Sequence, residues 1–413
     1  MRIRMLLPVL AVVCLIGCAS TASRDLRAVP HPLILVSIDG FRADYLDRGA
    51  TPALLALAAD GVRAIAMKPA FPTLTFPNHY TLVTGLYPDH HGIVNNRMVD
   101  PRSGKHFDYK DPATTRDASW WGGEPIWVGA EKHGLHAATV FWPGSGFAIG
   151  GVRPSRWLPF DAHLGADQRV DQLLRWIDLP APARATFFTL YFDQVDHAGH
   201  DHGPDAPEVD RALRDVDAAL ARLVDGLRSR GLFTRTNLLV VSDHGMTAAP
   251  LDQRIHLDEM LPPGSADVIT YGVLAGIEPH ADARADVEHN LLRLHPHMRC
   301  WRKSALPKRL HYGMNPRIPA LLCLADDGWV ITSSANEVSR SKVSLGEHGY
   351  DNDDPSMRAL FVAHGPDFRR GLVVPEFDNV DVYPLLARLL HIKPQPNDGD
   401  FSAVAGMLRP QAR

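Results

Sequence analysis

The 413-residue chain lacks several features that mark particular classes of protein. Lys and Arg number 43 against 47 Asp and Glu, so the net charge of -4 gives no basic footprint for nucleic-acid binding. No long apolar run follows the first residues, which predicts a soluble mature domain that is at most tethered to a membrane. With 45% hydrophobic residues, the chain can bury the core of one large or two medium domains.

What is present at the amino terminus has the pattern of a signal peptide. Arg2 and Arg4 precede an apolar run at residues 5–17, which is too short to span a bilayer but suits a signal-peptide core. The run ends in LIGC (15–18), which resembles the lipobox of bacterial lipoproteins. That resemblance implies cleavage before Cys18 and lipidation of its thiol and amine.

An ordinary secretory signal cleaved after Ala22 is the alternative. Both interpretations export the chain, and we expect it in the bacterial periplasm. In the lipoprotein interpretation, residues 1–17 are the signal peptide and residues 18–31 a polar tether. Ala19 and Ser20, in the absence of an Asp after the cysteine, suit sorting to the outer membrane.

Cysteine is scarce, with four in the chain; Cys14 lies in the predicted signal peptide and Cys18 is the predicted lipidation site. The folded part therefore contains only Cys300 and Cys323. Because an exported protein matures in an oxidising compartment, these two form a candidate disulfide. Two separate free thiols are the alternative.

Three apolar stretches have the pattern of strands buried on both faces of a parallel sheet. They are LILVSIDGF (33–41), the first half of ATFFTLYFDQVDHAGH (185–200) and LLVVSDHGM (238–246). The polar half of the second stretch is predicted to be a loop.

Helices alternate with these strands. One is predicted from Pro52 to Gly61, with Thr51 as its cap, and a second over residues 208–230, where apolar residues recur with helical periodicity. This alternation predicts an α/β fold with a mostly parallel central sheet and helices on both faces, over residues 32–413. A Pro/Gly-rich region at about residues 261–365 is predicted to form a smaller subdomain.

Carboxylates and imidazoles follow the predicted strands at the edge where α/β sheets bind ligands. These side chains are Asp39 after the first strand, Asp196 and His200 after the second, and Asp243 and His244 after the third. His348 comes from the glycine-flanked GEHGYDN segment (346–352). An Asp after a strand is often only a turn or a helix cap, but three such strand ends together indicate a site. The set suits zinc better than magnesium and is large enough for two adjacent ions.

The segment FPTLTFPNHY (71–80) supplies a hydroxyl to this edge. A threonine is a poor nucleophile unless it is activated, and His79 is poorly placed in sequence to reach back to Thr75. A metal ion bound to Thr75 would lower its pKa without a base. Pro77 indicates a helix start, whose positive end favours a phosphate. Thr73 lacks that position and is expected to be structural, and a turn with satisfied hydroxyls is the alternative for the whole segment.

Seven segments together resemble the nucleotide pyrophosphatase/phosphodiesterase family of the alkaline-phosphatase superfamily. In order they are ILVSIDGFR, FPTLTFPNHYTLVTGLYPDHHGI, GGEPIW, FWPGS, DHAGH, VSDHGM and HGYDN, and the match covers residues 32–405. The resemblance implies an alkaline-phosphatase-like fold. It also implies zinc-dependent hydrolysis of nucleoside 5′-phosphodiesters and nucleoside triphosphates to nucleoside 5′-monophosphates.

The resemblance further implies a role for each candidate residue. Thr75 would be the nucleophile that forms a phosphothreonine intermediate. Two zinc ions per chain would be held, one by Asp196, His200 and His348, the other by Asp39, Asp243, His244 and Thr75. Asn96 and the amide of Phe76 would bind a non-bridging phosphate oxygen.

Aromatic side chains are implied to line the substrate pocket. Phe76, Tyr191 and Phe160 occupy positions that would stack on a nucleobase, and Trp142 opens a pocket-lining loop. Core packing is the alternative for each of them. Gly146 departs from many animal nucleotide-hydrolysing relatives, which have an acidic residue there, so the base preference does not follow from the resemblance.

Other functions within the same fold stay open. A phosphomonoesterase commonly needs an arginine beside the nucleophile, which residues 71–80 lack, and Arg97 is the nearest candidate. A sulfatase needs a Cys or Ser in place of Thr75. A choline-type phosphodiesterase would use the aromatics as a cation cage, and a non-catalytic envelope lipoprotein would not keep all the ligand positions. The expected partner is a small phosphodiester or nucleotide, with no specific nucleic-acid or protein partner.

Overall fold

The computed structural model describes residues 29–339 and 344–410. Cys18, the predicted signal peptide and most of the tether lie outside these residues, so their assignment stays a prediction. Within the described part, no helix combines the length and apolar character needed to cross a bilayer.

The strands of the described part form one large sheet and several small ones. In chain order the strands are β1 (Leu33–Ile38), β2 (Val62–Ala64), β3 (Met67–Lys68), β4 (Arg97–Val99), β5 (His106–Asp108), β6 (Ala137–Val140), β7 (Arg156–Leu158), β8 (Phe187–Phe192), β9 (Asn237–Val241), β10 (Thr247–Ala248), β11 (Arg254–His256), β12 (Ala266–Thr270), β13 (Leu274–Pro279), β14 (Met298–Arg302), β15 (Leu321–Ala325), β16 (Val330–Thr332), β17 (Gly346–Glu347), β18 (Phe361–His364), β19 (Leu372–Val374) and β20 (Phe377–Asp378). The central sheet has eight strands in the order β19-β2-β18-β9-β1-β8-β6-β7.

The helices lie between these strands. In chain order they are α1 (Pro52–Asp60), α2 (Thr75–Thr84), α3 (Pro88–His91), α4 (Pro112–Thr115), α5 (Ile126–Lys132), α6 (Ala166–Ile177), α7 (Gln194–His202), α8 (Pro207–Ser229), α9 (Arg284–Leu291), α10 (Ser334–Ser339), α11 (Val382–Leu389) and α12 (Phe401–Ala405). The predicted helices at residues 52–61 and 208–230 are confirmed as α1 and α8. The Thr51 hydroxyl makes no capping bond, and the Asp217 carboxylate of α8 instead accepts the N–H groups of Ala53 and Leu54 at 2.9 and 2.8 Å.

The central sheet is mostly parallel, as predicted. Strands β9, β1, β8, β6 and β7 are parallel to one another, β19 is parallel to β2, and β18 runs antiparallel to both of its neighbours, β9 and β2. Successive side chains of a strand point to opposite faces. In β1, Leu33 and Leu35 join one apolar cluster with α2, α5 and α11, while Ile34 and Val36 join another with α1, α6 and α8. Both faces of the sheet are therefore covered, which explains the continuous apolar runs.

A second, antiparallel sheet has the order β12-β13-β15-β14. Its β14 and β15 are joined by the disulfide between Cys300 and Cys323, which confirms that pairing. The sheet lies inside the predicted subdomain limits of about 261–365. Strand β18 also lies inside those limits but pairs with β9, because its apolar residues complete the central sheet. The limits of the subdomain stay a prediction.

The segment after β8 is helical, so the prediction of a polar loop there is wrong. Helix α7 carries Asp196 and His200 four residues apart, a spacing that places both on one face of a helix. His200 Nε2 lies 3.5 Å from Asp196 Oδ1. The polar composition of α7 thus comes from residues that face a site, whereas in a loop it would come from solvent contact.

Candidate active site

The predicted site residues meet at the carboxyl ends of three adjacent parallel strands. Asp39 follows β1, α7 follows β8, and Asp243 and His244 follow β9. The short antiparallel pair of β10 and β17 then brings His348 back to this edge. The rings of His244 and His348 stack with their centroids 3.6 Å apart.

Two groups of three buried side chains could each hold a metal ion. One is Asp39, Asp243 and His244, and the other is Asp196, His244 and His348, with one ligand atom of each residue within 4.8 Å of the others. The first group is one of the two ligand sets that the resemblance implies. The second group contains His244 as its third member, whereas the resemblance implies His200 together with Asp196 and His348. His200 remains adjacent, with its ring centroid 5.1 Å from that of His348.

Each of the three histidines is oriented by a backbone carbonyl. The Nδ1 atoms of His200, His244 and His348 lie 2.7, 2.9 and 2.9 Å from the carbonyl oxygens of Gly346, Gly245 and Thr73, respectively. When Nδ1 donates a hydrogen bond, the Nε2 lone pair is left for a metal ion. In all three, Nε2 is the atom near a site carboxylate.

Three carboxylate oxygens in the site are buried and make no hydrogen bond: Asp39 Oδ1, Asp196 Oδ1 and Asp243 Oδ2. Asp243 Oδ2 lies 2.9 Å from His244 Nε2, so a cation, either a proton or a metal ion, is required between them. Buried oxygens without partners, facing imidazole nitrogens, are the donor set that zinc takes in proteins. The residues present therefore fit a metal ion.

The pKa values of the site residues are shifted by burial and by the charges of their neighbours. Burial raises the pKa of Asp39 well above its usual range, and the charges of Asp243 and Asp196 add to this effect. Burial, together with the charge of His244, lowers the pKa of His348 to about 3, which keeps its imidazole in the neutral form that binds metals. Burial alone would raise the pKa of Asp243, but His244 and His79 hold it well below its usual range.

Thr75 lies beside this cluster as the first residue of α2. Its Oγ1 is 3.3 Å from His244 Nε2, at the amino-terminal end of the helix, where the helix dipole is positive. The Phe76 N–H donates to Asn96 Oδ1 at 3.0 Å, so the side chain of Asn96 lies next to the helix start. Its Nδ2 group supplies two further donors there. A hydroxyl, a helix dipole and amide donors thus converge at one place.

His79 has a role that the sequence prediction missed. It is fully buried, with Nδ1 2.9 Å from the Thr75 carbonyl oxygen and Nε2 2.8 Å from Ser37 Oγ. These contacts tie the start of α2 to β1. The spacing of four residues between Thr75 and His79 could have predicted a contact within a helix. That contact is made with the Thr75 carbonyl oxygen and not with its hydroxyl.

The aromatic residues implied to line a pocket differ in exposure. Phe160 is 56% exposed, with its ring centroid 6.1 Å from that of Tyr191. The Tyr191 hydroxyl donates to Asp39 Oδ2 at 2.6 Å, which orients that carboxylate. Trp142 is buried, and its indole N–H donates to the His79 carbonyl oxygen at 3.1 Å.

Three further positions named in the sequence analysis are Phe76, Gly146 and Arg97. The Phe76 ring is half-buried among those of Phe107, Tyr109 and Trp121. A Cβ atom at Gly146 would meet only the Trp157 ring, at 3.9 Å, so this position is open. Arg97 is exposed and donates from Nε to Asp108 Oδ2 at 3.0 Å.

The chain is similar to known proteins over most of its length. Residues 33–351 match the family described as type I phosphodiesterase/nucleotide pyrophosphatase. The chain is 37% identical over 393 residues to ectonucleotide pyrophosphatase/phosphodiesterase family member 3 of Bos taurus, covering 92% of this chain and 44% of that protein. It is 37% identical over 389 residues to a pyrophosphatase/phosphodiesterase of Schizosaccharomyces pombe, covering 91% of this chain and 80% of that one. The chain thus spans less than half the length of the bovine relative.

A similar solved structure is murine ectonucleotide pyrophosphatase/phosphodiesterase 5, as an inactive threonine-to-alanine variant in complex with AMP. It is 34% identical, with a TM-score of 0.87, and the match covers 92% of this chain and 100% of that one.

Proposed function

Since this chain belongs to the type I phosphodiesterase/nucleotide pyrophosphatase family, we propose that it is a zinc-dependent hydrolase of nucleotides. Its substrates would be nucleoside 5′-phosphodiesters and nucleoside triphosphates, and its product a nucleoside 5′-monophosphate. The position of Thr75 carries the proposal, because its hydroxyl lies at a helix start, 3.3 Å from His244 in the cluster of buried carboxylates. The AMP bound to the murine neighbour supports the proposed product.

Two zinc ions, held by the six carboxylates and imidazoles, would lower the pKa of the Thr75 hydroxyl and balance the phosphate charge. Thr75 Oγ1 forms a bond to phosphorus as the bond to the leaving oxygen breaks, and the hydroxyl proton is lost to water. Water then cleaves the phosphothreonine ester and releases the nucleoside 5′-monophosphate. The Phe76 amide and Asn96 would bind a non-bridging oxygen, and removing one such donor costs about 3 kcal/mol of barrier.

Charge favours a diester over a monoester. A diester has one negative charge at phosphorus, whereas a monoester brings nearly a second charge and a third oxygen. Arg97, the candidate arginine, is already paired with Asp108, so it is not a free cation for that oxygen. The exposed ring of Phe160 beside Tyr191 offers a stacking surface for a base, which contributes about 1–3 kcal/mol.

The test is a comparison of kcat/KM for two chromogenic esters. The nitrophenyl ester of thymidine 5′-monophosphate should exceed nitrophenyl phosphate by at least about two decades, which corresponds to about 2.7 kcal/mol. Phe160→Ala should lower kcat/KM for the thymidine ester but leave a diester without a base, bis-nitrophenyl phosphate, unchanged. A faster monoester would refute the assignment, and a faster choline phosphodiester would favour the choline-type alternative.

We also propose that residues 1–17 export the chain to the periplasm and that Cys18 anchors it to the outer membrane. The basis is the LIGC sequence alone. Labelling cells with a fatty-acid analogue should mark the wild-type protein and not Cys18→Ser. Equal labelling of both, or of neither, would favour ordinary secretion.

A further inference from the structure

Thr73 connects the segment of the nucleophile to the loop that carries His348. It is fully buried, and its hydroxyl donates to the Tyr350 carbonyl oxygen at 2.9 Å while accepting from the Gly349 N–H at 3.0 Å. Its own carbonyl oxygen lies 2.9 Å from His348 Nδ1. Three consecutive residues of the loop are therefore bonded to one residue, which lies two positions before Thr75.

We propose that Thr73 is a positioning residue that fixes His348 relative to Thr75, an inference that rests on the proposed function. The His348 ring is oriented through Nδ1, so the Thr73 carbonyl sets where Nε2 points. Nε2 lies 3.6 Å from Asp196 Oδ1, one of the buried oxygens without a partner. Groups that hydrogen-bond a metal-binding histidine through its second nitrogen orient it and tune its basicity.

On its carboxyl side the loop is held by other contacts, since the Tyr350 hydroxyl donates to the Trp329 carbonyl oxygen and Asn352 Nδ2 to the Pro69 carbonyl oxygen, each at 3.1 Å. Strand β17, which precedes His348, is two residues long. Gly349 has φ +109°, and a Cβ atom there would lie 3.1 Å from Leu74 Cδ2. The loop thus packs on residues 73–74 at a position where only glycine fits without strain, and the Thr73 hydroxyl satisfies the backbone groups on both sides of that contact.

Replacing Thr73 with Val keeps its shape and removes the hydroxyl. The Gly349 N–H and the Tyr350 carbonyl would then be buried without a partner, and the loop would shift to satisfy them. Thr73→Ser keeps both hydrogen bonds. Losing a partner that orients a metal ligand typically costs about 10–100-fold in metal affinity or activity.

The experiment measures zinc affinity by chelator competition, together with kcat/KM for the thymidine ester. Thr73→Val should weaken one of two zinc sites by about 10–100-fold and lower kcat/KM to a similar extent, and Thr73→Ser should stay within about threefold of wild type. Thr84→Val is the matched control. Thr84 is buried in α2, and its hydroxyl donates to the Tyr80 carbonyl at 2.7 Å and accepts from the Leu86 N–H at 3.4 Å. It should destabilise the fold without changing zinc affinity.

Unchanged zinc affinity in Thr73→Val, equal losses in Thr73→Ser, or an equal zinc loss in Thr84→Val would overturn the inference. If Thr73→Val does not fold, Gly349→Ala disturbs the same contact from the loop side and should weaken zinc in the same way; unaltered zinc affinity would again overturn it. A wild-type protein that binds no zinc would instead refute the proposed function.

Discussion

Two groups of buried charged side chains lie at the end of β8, and only one of them is an ion pair with an arginine. In the first, Arg169 Nη1 donates to Asp193 Oδ1 at 2.7 Å, and the guanidinium also bonds the carbonyl oxygens of Tyr191 and Leu164. In the second, three residues further along the chain, Asp196 joins Asp39 and Asp243, and each carboxylate has a buried oxygen without a hydrogen bond. The Arg169 guanidinium thus neutralises the Asp193 carboxylate at the start of α7. The carboxylates of Asp39, Asp196 and Asp243 near Thr75 have no such ion pair with an arginine.

The difference shows how a ligand site can be recognised without a ligand. Burying a charge is costly unless a partner or a metal ion compensates for it. Asp193 has its cationic partner in α6, whereas Asp39 is bonded to the neutral Tyr191 hydroxyl and lies beside the charges of Asp243 and Asp196. We therefore expect the second group to take up a cation from solution.

The largest effect is expected at Thr75, which belongs to neither group of charges. Thr75→Ala should abolish turnover, by at least about three decades in kcat, because the nucleophile is lost. Zinc content and the thermal unfolding midpoint should remain those of wild type, since no carboxylate or imidazole is changed. Turnover by stopped-flow and zinc by elemental analysis measure both.

Two controls separate the nucleophile from the metal site. Thr75→Ser retains a hydroxyl and should keep measurable turnover, whereas His348→Ala should lose zinc as well as activity. A Thr75→Ala enzyme with the wild-type rate would mean that water attacks phosphorus directly, and the covalent route would be wrong.

The next largest effect is expected on stability, from the buried ion pair of Arg169 and Asp193. Arg169→Met leaves the buried Asp193 with only the exposed His197 ring, 3.6 Å from Oδ2, as a partner, and removing one partner of a buried pair costs about 3–5 kcal/mol of unfolding free energy. Arg222, on α8, pairs with Asp171 at the surface with its side chain 50% exposed, so Arg222→Met should leave stability unchanged. Denaturant unfolding at fixed zinc concentration measures both. Equal stability of the two variants would contradict a structural role for the Arg169 pair.

The smallest effect on stability is expected for the cluster of buried carboxylates, at Asp39. The raised pKa of Asp39 means that its ionised form opposes folding when no metal is bound. Asp39→Asn removes that charge, so the metal-free variant should be at least as stable as metal-free wild type, although it binds zinc more weakly. Denaturant unfolding in a chelator tests this. A loss as large as that in Arg169→Met would show that the two groups of charge are equivalent.

Part of this fold could be predicted from the sequence. Strands β1 and β9 are continuous apolar runs because both their faces are covered, and α8 has a regular apolar face, so both kinds of element were predictable. The candidate ligands Asp39, Asp243 and His244 come directly after those strands. Local pattern and the rule for α/β sheets are sufficient for these features.

Other features depend on partners that are remote in sequence. Helix α7 was not predicted because its polar residues face the candidate metal site, a pattern that resembles a solvated loop. Arg169 lies on an amphipathic helix where an arginine suggests exposure, and its partner is 24 residues away. The link from Thr73 to Tyr350 spans 277 residues, which no local pattern contains.

The most direct test of the unbalanced charge is the zinc content of the wild-type protein. Elemental analysis of carefully desalted, active protein should give close to two zinc ions per chain, because the buried oxygens and imidazoles exceed what one tetrahedral ion takes. Metal removal by a chelator should abolish hydrolysis of the thymidine ester, and added zinc should restore it. Full activity in protein that contains almost no metal would contradict the account.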